Sequence, residues 1–227
     1  MGFKIPNNLF APIIGYEDVK ELFMGALRMY GDGLPVHFLM VGEPSSAKTL
    51  FLLCLSKIKG SVYLLGSRVS KAGLTDILLE QKPALLLIDE IDKMDYDCYG
   101  TLLSLMETGI VVKALHKQFV KEKMETLVFA GANYEHELPD ELLSRFTILR
   151  FKPYTFNQFR KIAVKILKDY GIKPRLASYM AMAVYNQLRS RDIRDVVQLA
   201  RHSMKISQGK ITKRTVNKVL KTLKKYS

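Results

Sequence analysis

Eight consecutive residues, Gly42, Glu43, Pro44, Ser45, Ser46, Ala47, Lys48 and Thr49, join a turn-forming glycine, a long cation and a hydroxyl in one short stretch. That combination suits a phosphate group. Backbone N–H groups at a helix start donate to the anion, and the helix dipole favours its charge. Lys48 can reach the β- and γ-phosphates of ATP, and the Thr49 hydroxyl can ligate Mg²⁺. Leu50 extends the same segment into the helix. Loops of this kind usually carry glycine before the lysine, and here that residue is Ala47. Alanine fits if it keeps an ordinary negative φ, which is therefore the expected backbone. A second group of chemical residues closes an aliphatic run: Leu85, Leu86, Leu87 and Ile88 are followed by Asp89 and Glu90. Two carboxylates at a strand tip repel each other, and Mg²⁺ offsets that repulsion. Asp89 would hold the metal through water, and Glu90 would orient or deprotonate an attacking water. Binding and hydrolysis of ATP is the expected chemistry.

Elements of alternating type must position these groups. Residues 36–41, 61–65, 84–89, 126–133 and 146–151 are short apolar runs with the look of buried strands. Helical periodicity falls at 17–30, 48–58, 72–80 and 96–107. This alternation predicts an α/β fold with a parallel five-stranded sheet and helices on both faces. After Pro153 only helical spacing is found, at 155–170, 174–188, 192–207 and 212–225, with Thr155 and Thr212 as N-caps. The expected organisation is an α/β domain over 1–152 and a small all-α lid over 153–227.

Composition narrows the function classes. The chain has 227 residues, 48% of them apolar, which is enough for a buried core. No apolar run approaches the roughly 20 residues of a membrane span, and no membrane partner is expected. Two cysteines make no disulfide framework, and no secretory signal is recognised, so a reducing, cytoplasmic setting is expected. The four histidines lack metal-ligand spacing. The net charge is +13, and Arg201 to Ser227 contains nine Lys/Arg and no acid. Such a basic segment suits a polyanion or a solvated helix face.

The ordered set of motifs resembles an AAA+ ATPase module over nearly the whole chain. The phosphate loop with alanine, and the phrases 70–78 (SKAGLTDIL), 88–94 (IDEIDKM) and 138–146 (LPDELLSRF), are most similar to the minichromosome-maintenance helicase clade. RuvB-type branch-migration motors are looser relatives. The resemblance implies roles residue by residue. Asn133 matches sensor 1, and Arg145 matches an arginine finger acting on a neighbouring subunit's ATP. Arg191 matches sensor 2, with Arg194, one turn on, as the alternative. Ile14, Gly15 and Glu17 match the segment along the adenine. A finger acting in trans implies a homo-oligomer, in this family a hexameric ring.

The moved polymer is left more open. One candidate pore segment is Gly66–Gly73, with Arg68 and Lys71. The other is 109–124, where alternation predicts a β-hairpin. In the resembled clade a hairpin there carries a DNA-contacting lysine, and Lys113, Lys117 and Lys121 are all available. Nucleic acid is the expected partner, in a translocase, branch-migration or helicase-like motor. An ATP-driven protein remodeller or assembly chaperone is the alternative. Target recognition is expected from these loops, the basic segment or a separate adaptor protein.

Overall fold

The structure is a computed structural model that describes residues 3–115, 118–207 and 211–226. It divides into two compact units, Met1–Lys152 and Pro153–Ser227.

In the first unit the elements run α1 (Glu17–Arg28), β1 (His37–Val41), α2 (Lys48–Leu55), β2 (Ser61–Leu65), α3 (Lys71–Gln81), β3 (Leu85–Asp89) and α4 (Tyr96–Thr108). They continue with β4 (Ile110–Leu115), β5 (Gln118–Lys123), β6 (Leu127–Ala132), α5 (Asp140–Leu143) and β7 (Phe146–Arg150). Five strands form a parallel sheet in the order β2-β3-β6-β1-β7. The sheet is buried on both faces, which explains its unbroken apolar strands. Alternate residues feed opposite cores. Leu39, Leu86, Ile88, Val128 and Ala130 meet Leu74, Leu78, Leu102 and Leu105 of α3 and α4. Phe38, Met40, Leu85, Leu87 and Phe129 meet Phe23 and Leu27 of α1 and Phe51 and Leu55 of α2. Phe23 sits at the centre of the second core, with ring centroids 4.9–5.4 Å from Phe38, Phe51 and Phe129.

Two departures from the sequence expectation matter near the site. The second helix ends at Leu55, not near residue 58, because Lys57 and Ile58 donate to Cys54 and Leu55 in i→i+3 turns. The segment before α3 is not a loop as far as Gly73. Residues 66–68 form a 3₁₀ turn, and Ser70 caps α3 by accepting from the Gly73 N–H. Lys71 is therefore the first residue of a helix.

The second unit contains α6 (Phe156–Asp169), α7 (Pro174–Gln187), α8 (Ile193–Ser207) and α9 (Lys213–Tyr226). Each presents a buried stripe, such as Phe159, Ala163 and Leu167 on α6 or Val196, Leu199 and Ala200 on α8. Thr155 caps α6 in a reciprocal box with Gln158. Pro174 opens α7, where its missing N–H costs nothing.

A buried histidine ties the starts of β1 and β6 to α4. His37 Nδ1 accepts from the Val128 N–H at 3.1 Å, so the proton lies on Nε2, which donates to the Met106 carbonyl at 3.2 Å. Burial pushes the imidazole below its ordinary range, and the Met106 carbonyl opposes this in part. Its folded pKa is thus lower than the unfolded value near ~6.5. The unfolded chain binds the proton first as pH falls. Stability is full above about pH 6.5 and declines below it, by at most about 1.4 kcal/mol per pH unit for one proton. Denaturant midpoints measured from pH 7.5 to 5.5 are expected to fall in the wild type and to fall less in His37→Gln.

Candidate functional site

The loop after β1 starts at a crowded point. The Gly42 N–H donates to the Ala132 carbonyl at 3.2 Å, which ties the loop to β6. A Cβ on Gly42 would lie 2.5 Å from the Phe151 carbonyl oxygen, so the residue must be glycine. Ser45 has φ 69° and Ala47 has φ 71°. The expectation of a negative φ at Ala47 is therefore wrong. The loop turns through left-handed residues at alternate positions, an arrangement that directs successive N–H groups into one concavity. Alanine in that region costs about 1–2 kcal/mol, and glycine avoids the cost. Ala47→Gly is expected to raise the melting temperature by about 2 °C. A lowered melting temperature would show that Ala47 is unstrained.

Lys48 is the first residue of α2 and only 6% exposed. Its ammonium donates to the carbonyls of Gly42 (2.6 Å) and Glu43 (3.0 Å) and to Ser46 Oγ (3.2 Å). Burial lowers its pKa, while Asp89 and then Asp92 pull it back up. The cation thus lies under the concavity with two carboxylates near it. Thr49 is exposed, Leu50 half-buried, and Glu43 and Pro44 are exposed at the loop's outer edge.

Asp89 ends β3 and is buried. Its Oδ2 accepts from the Tyr63 hydroxyl at 2.9 Å and its Oδ1 from the Glu90 N–H at 3.1 Å. The bond to Asp89 and burial push the Tyr63 phenol well up, with burial the larger cause. Glu90 follows with φ 54°, and its carbonyl packs against Gly66, where a Cβ would sit 2.3 Å away. Gly131 on β6 lies between the two groups. A Cβ there would meet Asp89 Oδ1 at 3.2 Å and Lys48 Cβ at 3.6 Å.

Asn133 follows β6, between the strand that ends in the loop and the strand that ends in the acids. Its N–H donates to Asp92 Oδ2 at 3.1 Å, and the Tyr134 N–H reaches the same oxygen at 3.4 Å. Lys48, Asp89, Glu90 and Asn133 therefore share the carboxyl end of three adjacent strands, where ligands bind in open α/β sheets. Three site residues were not expected from sequence: Tyr63, Asp92 and Tyr16. The Tyr16 hydroxyl donates to the Lys152 carbonyl at 3.0 Å and reaches the Ser46 carbonyl at 3.4 Å, while its ring stacks on Phe151. This brings Ile14 and Gly15 (φ 79°) beside the loop, with Ile13 rather than Ile14 in the core. Glu17 opens α1 and pairs with Lys20.

The arginines are more dispersed. Arg145 is exposed, ion-paired to Glu107 of α4 at 3.2 Å and bonded to Ser144 Oγ. In the second unit Arg191 lies over the Tyr185 ring, 5.7 Å from its centroid. Arg194 is engaged with Asp192 at 2.6 Å.

The hairpin expected over 109–124 is present, as β4 paired antiparallel with β5. One face holds it to the body. Val111 is buried in the core, Lys113 pairs with Asp76 of α3 at 2.5 Å, and Glu122 pairs with Lys82 at 2.9 Å. Lys113 is thus a tether to α3. On the other face, Val112 opposes Lys121, and Phe119 is 68% exposed. Lys117 lies outside the described residues.

A parallel sheet with a phosphate-type loop after its first strand and an acid pair at a neighbouring tip defines a P-loop α/β protein. No family model matches the chain. Among curated proteins it is 26% identical to a Lon protease of Brucella suis over 96% of this chain and 30% of that protein. It is 28% identical to the minichromosome maintenance protein MCM of Saccharolobus solfataricus over 75% of this chain and 30% of that protein. The chain therefore spans less than a third of these curated relatives. Among solved structures, the Thermotoga maritima RuvB Holliday junction branch migration motor superposes with TM-score 0.68 at 21% identity, over 92% of this chain and 70% of that one. The chain has the AAA+ fold, shared with the RuvB structure, and Lon and minichromosome-maintenance proteins are among its sequence relatives.

Proposed function

We propose that the chain is a Mg²⁺-dependent ATPase of the AAA+ class that works as a ring motor on nucleic acid. The observation that carries the reading is the convergence of a buried lysine, a buried aspartate and a glutamate at adjacent strand ends beside Asn133. The donor set fits a metal–phosphate ligand. The loop concavity supplies N–H groups, Lys48 supplies a cation, and Thr49 and Asp89 supply oxygen ligands of the kind Mg²⁺ takes. A bound metal ion neutralises charge on the phosphate oxygens. Lys48 would leave its carbonyl partners for the phosphates. Glu90 orients the attacking water and takes its proton, and the Asn133 carboxamide donates to the reacting phosphate or that water. Arg145 would exchange Glu107 for charge on a neighbouring copy's nucleotide. Arg191 is the better sensor 2 residue, because Asp192 already holds Arg194.

Nucleic acid is favoured as the moved polymer by the outer hairpin face, where Phe119 can stack on bases beside Lys121. The net charge of +13 supports the same partner. Likeness to a Lon protease, together with the exposed Phe119, keeps a protein remodeller as the second reading. ATP turnover measured with single- and double-stranded DNA over a salt series separates the two. Stimulation that falls steeply with salt supports the first. Stimulation by an unfolded protein alone would establish the second.

A further inference from the structure

The two units differ sharply in charge. Pro153–Ser227 holds eighteen Lys/Arg against three acids, a net +15, whereas Met1–Lys152 holds seventeen against nineteen. The whole positive excess of the chain therefore belongs to the helical unit. None of the three acids lies on α9. Asp192 pairs with Arg194 at 2.6 Å, Asp195 accepts from the Ser190 hydroxyl, and Asp169 ends α6.

Within this unit α9 orders its cations most strictly. Val216, Val219 and Leu220 form its buried side. Arg214, Lys218, Lys221 and Lys225 follow one another at steps of four, three and four residues, which keeps them on one line along the opposite side. All four are exposed. At about 1.5 Å per residue the line is roughly 16 Å long. Among the described residues none of the four enters an ion pair. A similar line on α8 is broken: Gln198 interrupts it, Asp192 holds Arg194, and Arg201 donates to the Tyr170 hydroxyl. Like charges at i, i+3 and i+4 destabilise a helix. A polyanion laid along α9 removes that repulsion.

We infer that this line is a docking surface for the phosphate backbone of double-stranded nucleic acid, separate from the β4–β5 hairpin. A duplex carries one charge per about 1.7 Å of its axis, so four cations along roughly 16 Å meet phosphates in any register. Tyr226, the aromatic residue of α9, lies off the line. The surface therefore contacts phosphates without reading sequence, and it lacks the stacking ring that single-strand platforms use. An anionic membrane fits less well. Basic amphipathic helices bind one by inserting their apolar face, and that face of α9 is buried in its own unit. The inference rests on nucleic acid as the partner, but uses neither the nucleotide site nor the hairpin.

Fluorescence anisotropy of the full chain without nucleotide tests it, with short labelled duplexes of DNA and of RNA over a salt series. The wild type is expected to bind with Kd about 10⁻⁵ M near physiological salt and a log–log salt slope of about −3 to −4, that of four phosphate contacts. Lys218→Gln combined with Lys221→Gln is expected to weaken binding about tenfold and to reduce the slope by about two. Lys161→Gln combined with Lys168→Gln removes the same charge from exposed positions on α6 and is expected to change binding less than about twofold. Circular dichroism checks that both variants fold. Binding of one duplex type alone supports the surface and names its source. Equal losses in the two double variants would overturn the inference, because they would show diffuse charge and no surface. So would an affinity independent of salt, or tighter binding to phosphatidylserine vesicles than to either duplex. ATP turnover reports separately on the motor reading. Phe119→Ala is expected to lose stimulation by DNA and keep the duplex affinity, whereas the α9 variant loses affinity with its unstimulated turnover unchanged.

Discussion

Glu90→Gln is expected to bind ATP normally and to hydrolyse it about 10²–10⁴-fold more slowly. The two side chains have the same shape, so the difference is the proton acceptor. The position favours a clean result. The Glu90 backbone is fixed at φ 54° with its carbonyl against Gly66, and Asp89 Oδ1 holds its N–H. Those contacts belong to the main chain and survive the substitution. Nucleotide affinity and turnover should therefore separate. If turnover stays near the wild-type rate, Glu90 is not the residue that activates water.

The second large effect is expected at Lys48. Lys48→Ala should lower nucleotide affinity by about 10–100-fold, the loss of one or more charge-assisted hydrogen bonds to phosphate. The variant also frees the Gly42 and Glu43 carbonyls that the ammonium now bonds. A thermal melt alongside calorimetric titration tells a lost ligand contact from a disordered loop. Wild-type affinity in a folded Lys48→Ala protein would sink the phosphate assignment. The same variant tests Arg145. Lys48→Ala and Arg145→Ala proteins, each inactive alone, should partly recover turnover when mixed if Arg145 serves a neighbour's site. No recovery at concentrations where the copies associate would confine Arg145 to its Glu107 pair.

Much of this fold is legible in the sequence because parallel strands buried on both faces are written as unbroken aliphatic runs. Leu85–Asp89 and Leu127–Ala132 are readable without any partner in view. Asp89 and Glu90 stand out for the same reason, being charges that end such a run. The supporting shell is not legible. Tyr63 reaches Asp89 from 26 positions away, Asp92 bonds the Asn133 N–H across 41, and Tyr16 reaches Ser46 across 30. Only the strand order brings these residues together. The backbone of Ala47 runs against the sequence expectation, because propensity argues against alanine at positive φ. Tertiary ties at Gly42 override it, at a local cost. The sequence offers Lys113 as a polymer-contacting lysine, and only the fold supplies Asp76 of α3 as its partner.

The hairpin β4–β5 has a practical consequence. Its base is closed by the Met124 N–H donating to the Gly109 carbonyl at 2.8 Å, and α4 ends independently, with the Gly109 N–H on Leu105. The stretch beyond Lys113 and Val120 can therefore be transplanted as a cassette, which leaves the Lys113 tether to Asp76 in place. Val111 keeps its place in the core and Glu122 its pair with Lys82. A chimera carrying a foreign tip would keep the α/β body as a chassis. Under the proposed motor function, it would let polymer preference be read from the graft alone.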